Sequence, residues 1–240
     1  MKILVVNDDG YDAPGLKRLA GMASRFGEVT VAAPEFHSSA KSHSITLKTE
    51  MKIKPQDIGL EGVTAYSVAG TPADCIRLAL YHILPAYPDV VFSGINDGAN
   101  TGFDVAYSGT IAAAMEALMH GIPAIAFSKK RNGLDEVTEA YLPQIMELLL
   151  KQDPGPGRIW NVNFPGCPLR ECKGVLWNRP VAKGALYQDC YGLRQEEDGC
   201  MTAWEILKEI PPETIPRNSD IAAVHDGYVS VGTVRSMVLG

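Results

Sequence analysis

The chain has 240 residues, too many for a disulfide mini-scaffold and enough for one large domain or a core with an appendage. Apolar residues make up 46% and charged residues 21%, which excludes intrinsic disorder; 22 Lys and Arg against 28 Asp and Glu give a net charge of -6, with no concentrated basic surface for gripping a nucleic-acid duplex. No uncharged apolar run reaches the ~18 residues of a membrane span. The opening Ile3-Leu4-Val5-Val6 is too short for a signal peptide, and Cys75, Cys167, Cys172, Cys190 and Cys200 form no CxxC pair, so the expectation is a cytoplasmic protein with reduced thiols.

Residues 2–6 are short, apolar and β-branched, the pattern of a fully buried parallel strand, and they stop at Asn7-Asp8-Asp9-Gly10. A helix follows, with Asp12 as its expected cap, Pro14 in its first turn, and Leu16, Leu19, Ala20 and Ala23 at helical spacing before Gly27. Residues 29–33 form the next strand, ended by Pro34. Thr71-Pro72 opens a second helix carrying Cys75, Ile76, Leu78, Ala79 and Ile83; residues 89–93 are a strand, 108–120 a helix, 124–127 a strand, 137–151 a helix and 159–163 a strand. Strands alternating with helices predict an α/β fold, a Rossmann-like three-layer core with a mostly parallel sheet, over residues 1–165. Residues 166–240 hold little helical periodicity and short extended runs at 174–177 and 228–231, and are expected to be a smaller β-rich appendage.

In such a sheet, ligands bind beyond the carboxyl ends of the strands. Three polar segments meet that rim: Asp8-Asp9; the loop His37-Ser38-Ser39-Ala40-Lys41-Ser42-His43-Ser44; and Gly94-Ile95-Asn96-Asp97-Gly98-Ala99-Asn100. Two carboxylates, a serine hydroxyl and an asparagine carbonyl are hard oxygen donors, suited to Mg²⁺ or Mn²⁺ rather than zinc. Taken singly, each has an ordinary explanation. Asp8-Asp9 reads equally as turn-forming and capping acids, Ser39 as a solvated hydroxyl, Asn96 as a turn residue; it is the combination that points to a site. Ser108-Gly109-Thr110 begins a helix whose free N–H groups and small residues suit an anion, after a glycine-rich lead-in. Neither a P-loop nor GxGxxG is present. Gly70-Thr71-Pro72-Ala73-Asp74-Cys75 reads first as a capped helix start, Cys75 as a core residue, and His43 as a loop histidine able to reach substrate.

Together, Asn7-Asp8-Asp9-Gly10 with Ala13-Pro14-Gly15, Ala33-Pro34-Glu35 with Ser39 and His43-Ser44-Ile45-Thr46, Gly70 to Cys75, Ser93 to Gly98 through Asn100, Gly102, Asp104 and Tyr107-Ser108-Gly109-Thr110, Asn161-Val162-Asn163 with Pro165, and Gly227-Tyr228-Val229-Ser230 resemble the SurE family, survival protein E, a 5'/3'-nucleotidase. The resemblance covers most of residues 1–165 and thins afterwards; Ala117 stands where the family usually has glycine. It implies hydrolysis of nucleoside 5'- and 3'-monophosphates to nucleoside and phosphate, with some activity on short polyphosphate, and one divalent ion per subunit, Mg²⁺ or Mn²⁺. It places metal ligands on Asp8, Asp9, Ser39 and Asn96, and the phosphate contacts on Ser108, Gly109 and Thr110 with Gly94, Asn96 and Asn100. It also implies a homodimer or homotetramer joined through the β-rich part, and no membrane.

Asp8 and Asp9 are then the expected catalytic pair, positioning an attacking water or taking its proton; an aspartyl-phosphate formed on Asp8 is the rival path. Two other classes stay open on the residues alone: a haloacid-dehalogenase-like phosphotransferase, which would want Asp-x-Asp after the first strand, and a non-catalytic nucleotide-binding module.

Overall fold

The structure, a computed structural model, describes residues 1–188, 190–206 and 208–239. Thirteen strands and six α-helices lie in these residues. In chain order they are β1 (Lys2–Val6), α1 (Pro14–Ala23), β2 (Glu28–Pro34), β3 (Ile53–Gln56), β4 (Val63–Val68), α2 (Pro72–Leu78), β5 (Val90–Asp97), α3 (Asp104–Tyr107), α4 (Gly109–Met119), β6 (Ala124–Lys129), α5 (Glu136–Leu149) and β7 (Arg158–Phe164). After these come β8 (Val175–Leu176), β9 (Tyr187–Gln188), β10 (Tyr191–Gln195), β11 (Met201–Glu205), β12 (Lys208–Glu209), α6 (Asp220–His225) and β13 (Val229–Arg235).

A nine-stranded sheet runs β3-β4-β2-β1-β5-β6-β7-β13-β8. From β4 to β7 every pairing is parallel. The alternation of β1 explains why: Ile3 and Val5 pack with Leu16, Leu19 and Ala20 of α1 and with α5 on one face, whereas Leu4 and Val6 pack with Ile76 of α2 and Ala113 and Ala114 of α4 on the other. Both faces are dry, so the strand is apolar from Ile3 to Val6 and the α/β three-layer architecture is as expected. The strand order reverses direction between β1 and β5, which carries the chain out along opposite halves of the sheet and opens a crevice at their carboxyl ends.

Local chemistry differs from expectation in a few places. Asp12 does not cap α1: Ala13 holds the N-cap position without a side-chain bond, and Asp12 instead pairs with Lys17 at 2.5 Å. Pro14 alone pre-sets the first turn. Thr71 caps α2 in a reciprocal box with Asp74, as its sequence suggests. Val63–Val68 forms the edge-side parallel strand β4 against β2, although polar Thr64, Tyr66 and Ser67 blur its apolar signal. Beyond residue 165 the chain returns to the main sheet: β13 pairs antiparallel with β7 over six residues, and β8 pairs parallel with β13. The β10–β11 and β12–β9 ladders stand apart from that sheet. Among the described residues, no helix is long and apolar enough to cross a membrane.

Candidate active site

The crevice between β1 and β5 is built first by backbone. Asn7, at the end of β1, locks the following turn by donating its Nδ2 to the Gly10 carbonyl at 2.9 Å and accepting the Gly10 N–H at 3.2 Å. That turn lifts Asp8 and Asp9 off the strand end. The Asp8 carbonyl accepts the Ser38 N–H at 2.7 Å, which draws the loop after β2 onto the same rim. On the β5 side, pairing with β6 is interrupted between Ser93 and Asn96, a bulge of the kind that re-aims side chains at sites. Gly94 sits in the interruption at φ +132°, and a Cβ there would fall 2.1 Å from the Phe127 carbonyl oxygen, so only glycine lets the two backbones approach this closely.

Asp8 is 2% exposed. Its Oδ1 accepts the Thr110 hydroxyl at 2.6 Å, and burial nevertheless pushes its carboxyl up to about 6. Asp9 is also raised by burial, against the pull of the Asp97 N–H, which reaches its Oδ2 at 3.2 Å, and of His37, whose Nε2 lies 3.2 Å from its Oδ1. The same His37 atom is 3.1 Å from Ser39 Oγ. Asn96 donates Nδ2 to the Gly98 carbonyl at 2.7 Å, which leaves Oδ1 as its acceptor atom. Asp8 and Asp9 are therefore neighbours, Ser39 joins Asp9 through one imidazole nitrogen, and Asn96 precedes the residue whose N–H holds Asp9.

Helix α4 abuts this pair. Ser108 is its N-cap and accepts the Ile111 N–H at 3.1 Å. The Ser93 hydroxyl donates to the Thr110 carbonyl at 2.8 Å and pins the first turn to β5. The N–H groups of Gly109 and Thr110 have no acceptor within the helix and form a donor pair beside the carboxylates. Gly109 is required by packing, since a Cβ there would lie 2.8 Å from the Asp8 Cβ.

Neither Asp8 nor Asp9 has a lysine or arginine nitrogen within 4.0 Å among the described residues; His37 is the only basic group at either. Two adjoining carboxylates, one fully buried, without a fixed cation beside them match what a hard divalent ion compensates, and the remaining donors are oxygens as well. The described residues contain no converging group of three His, Cys, Asp or Glu side chains, so a cation here would lean on Ser39, Asn96 and water to complete its shell.

Several of the contacts that support this rim were not evident in the sequence. Asn100 is clasped from beneath: its N–H donates to Asn163 Oδ1 at 2.7 Å, its Nδ2 to Ser128 Oγ at 2.8 Å, and its carbonyl accepts Asn161 and Asn163 Nδ2 at 2.9 and 3.2 Å. The alternating asparagines of β7 were the available signal, since alternation places both on one side of the strand. Asp220 fixes the next residues by accepting the Gly102 and Ala182 N–H groups at 3.0 and 2.9 Å. His43 is engaged elsewhere: its Nε2 is 2.8 Å from Glu116 Oε2, and Arg77 and His120 approach the other oxygen of Glu116 at 3.4 and 3.3 Å. Burial raises the Glu116 carboxyl, but His43 and its neighbours together bring it below the usual glutamate range. A mostly apolar cavity of about 650 Å³, bounded by Ser108, Ile111, Met115, Glu116 and Val234, opens beside this cluster.

The chain is similar to known proteins along most of its length. The family model described as "Survival protein SurE" matches residues 3–185. A "5'-nucleotidase SurE" of Desulfitobacterium hafniense (strain DSM 10664 / DCB-2) is 41% identical over 238 residues, covering 98% of this chain and 91% of the relative. One of the same name from Legionella pneumophila (strain Corby) is 46% identical over 181 residues, 75% of this chain and 70% of its own. The crystal structure of the SurE protein from Aquifex aeolicus superposes with a TM-score of 0.82 at 34% identity, covering 98% of this chain and 93% of that one. With a family model matching residues 3–185, 41% identity to a relative over 98% of the chain and a shared fold, the chain belongs to the SurE family.

Proposed function

We propose that the chain is a 5'-nucleotidase that hydrolyses nucleoside 5'- and 3'-monophosphates to nucleoside and phosphate in the β1/β5 crevice. The observation that carries this reading is the pairing of two uncompensated carboxylates with the open start of α4, in a chain whose relatives are named nucleotidases. Short polyphosphate presents the same terminal phosphoryl group and falls within the reading.

The residues divide the work. Asp8, Asp9, Ser39 and Asn96 would hold one divalent ion, Mg²⁺ or Mn²⁺. Such an ion supplies charge neutralisation of the phosphate and a lowered pKa for a water molecule. Gly109 and Thr110 N–H groups face the equatorial oxygens, where charge spreads in a loose transition state. Ser108 holds those N–H groups in place by capping, and Gly94 and Asn100 fix the loop that closes the far side. Asp9, the less enclosed carboxylate, takes the proton of the attacking water. Asp8 is the positioning carboxylate: its Oδ1 is already bound to Thr110, a poor arrangement for a nucleophile.

We also place the enzyme in the cytoplasm, on the five free thiols, and assign subunit association to residues 166–240. There β10 and β11 expose Tyr191, Leu193, Met201 and Trp204.

The decisive assay is phosphate release from AMP with Mn²⁺, with and without a chelator, on native protein and on Asp8→Asn and Asp9→Asn. Release that stops with chelation and in both variants supports the reading. AMP binding without release would make the chain a binding module. Oxygen-18 passing from water into phosphate without a trapped phospho-enzyme supports direct water attack, and a trapped aspartyl-phosphate overturns it.

A further inference from the structure

We propose that the apolar cavity along α4 seats the nucleoside end of the substrate, with His43 and Arg77 reading the polar edge of its base. This deepens the nucleotidase reading and rests on phosphate binding at the start of α4. Ser108, Ile111, Ala112, Met115, Glu116 and Met119 recur three or four residues apart, so they form one stripe of the helix, and all six border the cavity of about 650 Å³. The stripe begins at the cap residue that holds the Gly109 and Thr110 N–H groups in place. Glu116 stands about 12 Å farther along, at ~1.5 Å per residue. A phosphate monoester held at the helix start therefore lays its ribose and base along an apolar wall, toward a charged end.

That end is built for polar recognition. Glu116 is only 3% exposed, in a mostly apolar helix. Its carboxylate accepts His43 Nε2 at 2.8 Å and Arg77 Nη1 at 3.4 Å. Nε2 then carries the hydrogen, and the neutral ring presents Nδ1 as an acceptor. Arg77 keeps Nε and Nη2 as donors. None of these three atoms has a hydrogen-bond partner among the described residues, and both side chains border the cavity. An acceptor beside a pair of donors complements the edge of a nucleobase, where amino donors stand next to ring-nitrogen and carbonyl acceptors. Phe103, exposed at the same cavity, adds a ring face on which a base can stack. Glu116 is a positioning residue here: it fixes the imidazole tautomer and the guanidinium, and does not itself meet the base.

AMP is compared with ribose 5-phosphate, which carries the same ester without a base, on the full chain with Mn²⁺. Native protein is expected to show a kcat/KM at least about tenfold higher for AMP. His43→Ala and Arg77→Ala are expected to raise KM on AMP by about tenfold with kcat little changed, and to alter kcat/KM on ribose 5-phosphate by less than about threefold. Glu116→Gln is expected to show the same split, because it loosens both groups. A second readout on native protein uses adenosine alone, with ¹³C-labelled methionine methyls. Ring currents are expected to shift Met115 and Met119, assigned through Met115→Leu and Met119→Leu, and to leave Met22, packed with the α1 layer, in place. Equal efficiency of native protein on AMP and ribose 5-phosphate overturns the base site and leaves the nucleotidase standing. Parallel losses on both substrates in the variants do the same, as does adenosine that moves neither methyl. Methionine signals that change on dilution and ignore adenosine give the cavity to a second copy of the chain and overturn it too. If neither substrate is hydrolysed while adenosine shifts both methyls, the nucleoside site stands and the catalytic reading falls. The native substrate ratio and the native spectrum decide without any variant, so a poorly folding one cannot shelter the proposal.

Discussion

The Thr110 hydroxyl donates to Asp8 Oδ1 across 2.6 Å, so the first turn of α4 and the end of β1 are joined by one short hydrogen bond. This bond aims the buried carboxylate and lowers the cost of charging it. Thr110→Val keeps the volume and removes the donor. It is expected to lower kcat/KM on AMP with Mn²⁺ by about 10–100-fold, while Thr110→Ser keeps most of the activity. Steady-state kinetics of the two variants settle the point, and a valine enzyme at native rate would remove Thr110 from the machinery.

Gly109 touches the same carboxylate from behind. An added methyl would sit 2.8 Å from the Asp8 Cβ and 3.0 Å from Pro72 Cγ, so the helix start must move. Gly109→Ala is expected to cost about 10²-fold in kcat, the scale of a one-ångström misplacement, with a smaller effect on the melting temperature. A large loss of stability with intact kcat in the folded fraction would contradict this.

Acidity offers a third test. The folded-state value of Asp8, about 6, lies above its ordinary 3.8, so the native chain holds this proton more tightly than the unfolded one. Stability from this group is present below about pH 4, is lost as pH rises through about 6, and stays lost above, an ionisation penalty of about 3 kcal/mol at neutral pH. Asp8→Asn removes the penalty. Without metal, the variant is expected to melt several degrees above native protein at pH 7.5 and to lose that advantage near pH 4. Added Mn²⁺ is expected to raise the native melting temperature far more than that of the variant. Melting curves at the two pH values with and without Mn²⁺ provide the check.

The Asn100 clasp tests structure rather than chemistry. Asn163→Leu leaves the buried Asn100 N–H without its acceptor, and an orphaned buried donor costs about 1–3 kcal/mol. Urea denaturation should show a lower midpoint with an unchanged slope, and the surviving native protein should bind AMP more weakly, because the Asn100 loop borders the crevice.

Association is tested at the β10–β11 hairpin. Leu193→Ser with Trp204→Ser is expected to lower the solution mass measured by light scattering while leaving far-ultraviolet dichroism unchanged, since both residues are exposed and outside the main sheet. An unchanged mass would move the subunit contact elsewhere.

Much of this molecule is legible in its sequence because buried parallel strands advertise themselves. Leu4-Val5-Val6 has no polar alternate, and Asp8 and Asp9 follow it at the place where an open sheet binds ligands. What stayed hidden depends on partners far along the chain. Val63–Val68 reads as half polar because it lies near the edge of the sheet. Val229–Arg235 gives no sign of joining β7, since antiparallel register is decided by the strand it meets. Asp12 is a plausible cap by type, yet Lys17 lies one turn on and takes it. Glu116 stands alone in an apolar helix, and its reason becomes visible only when His43, Arg77 and His120 arrive from three other segments. The relation of Asp9, His37 and Ser39 is likewise a matter of loop path, which no periodicity encodes.

The position of β13 carries a kinetic consequence. Ile159 and its partner Val234 lie 75 positions apart, so this pairing carries a larger loop-closure cost than those of neighbouring strands, and late closure in refolding is expected to leave the β7 flank as a bare row of amides and carbonyls. That interval is when two immature copies can zip together along the same flank, and crowded refolding should therefore yield aggregates seeded at Ile159–Phe164 rather than at the finished hairpins.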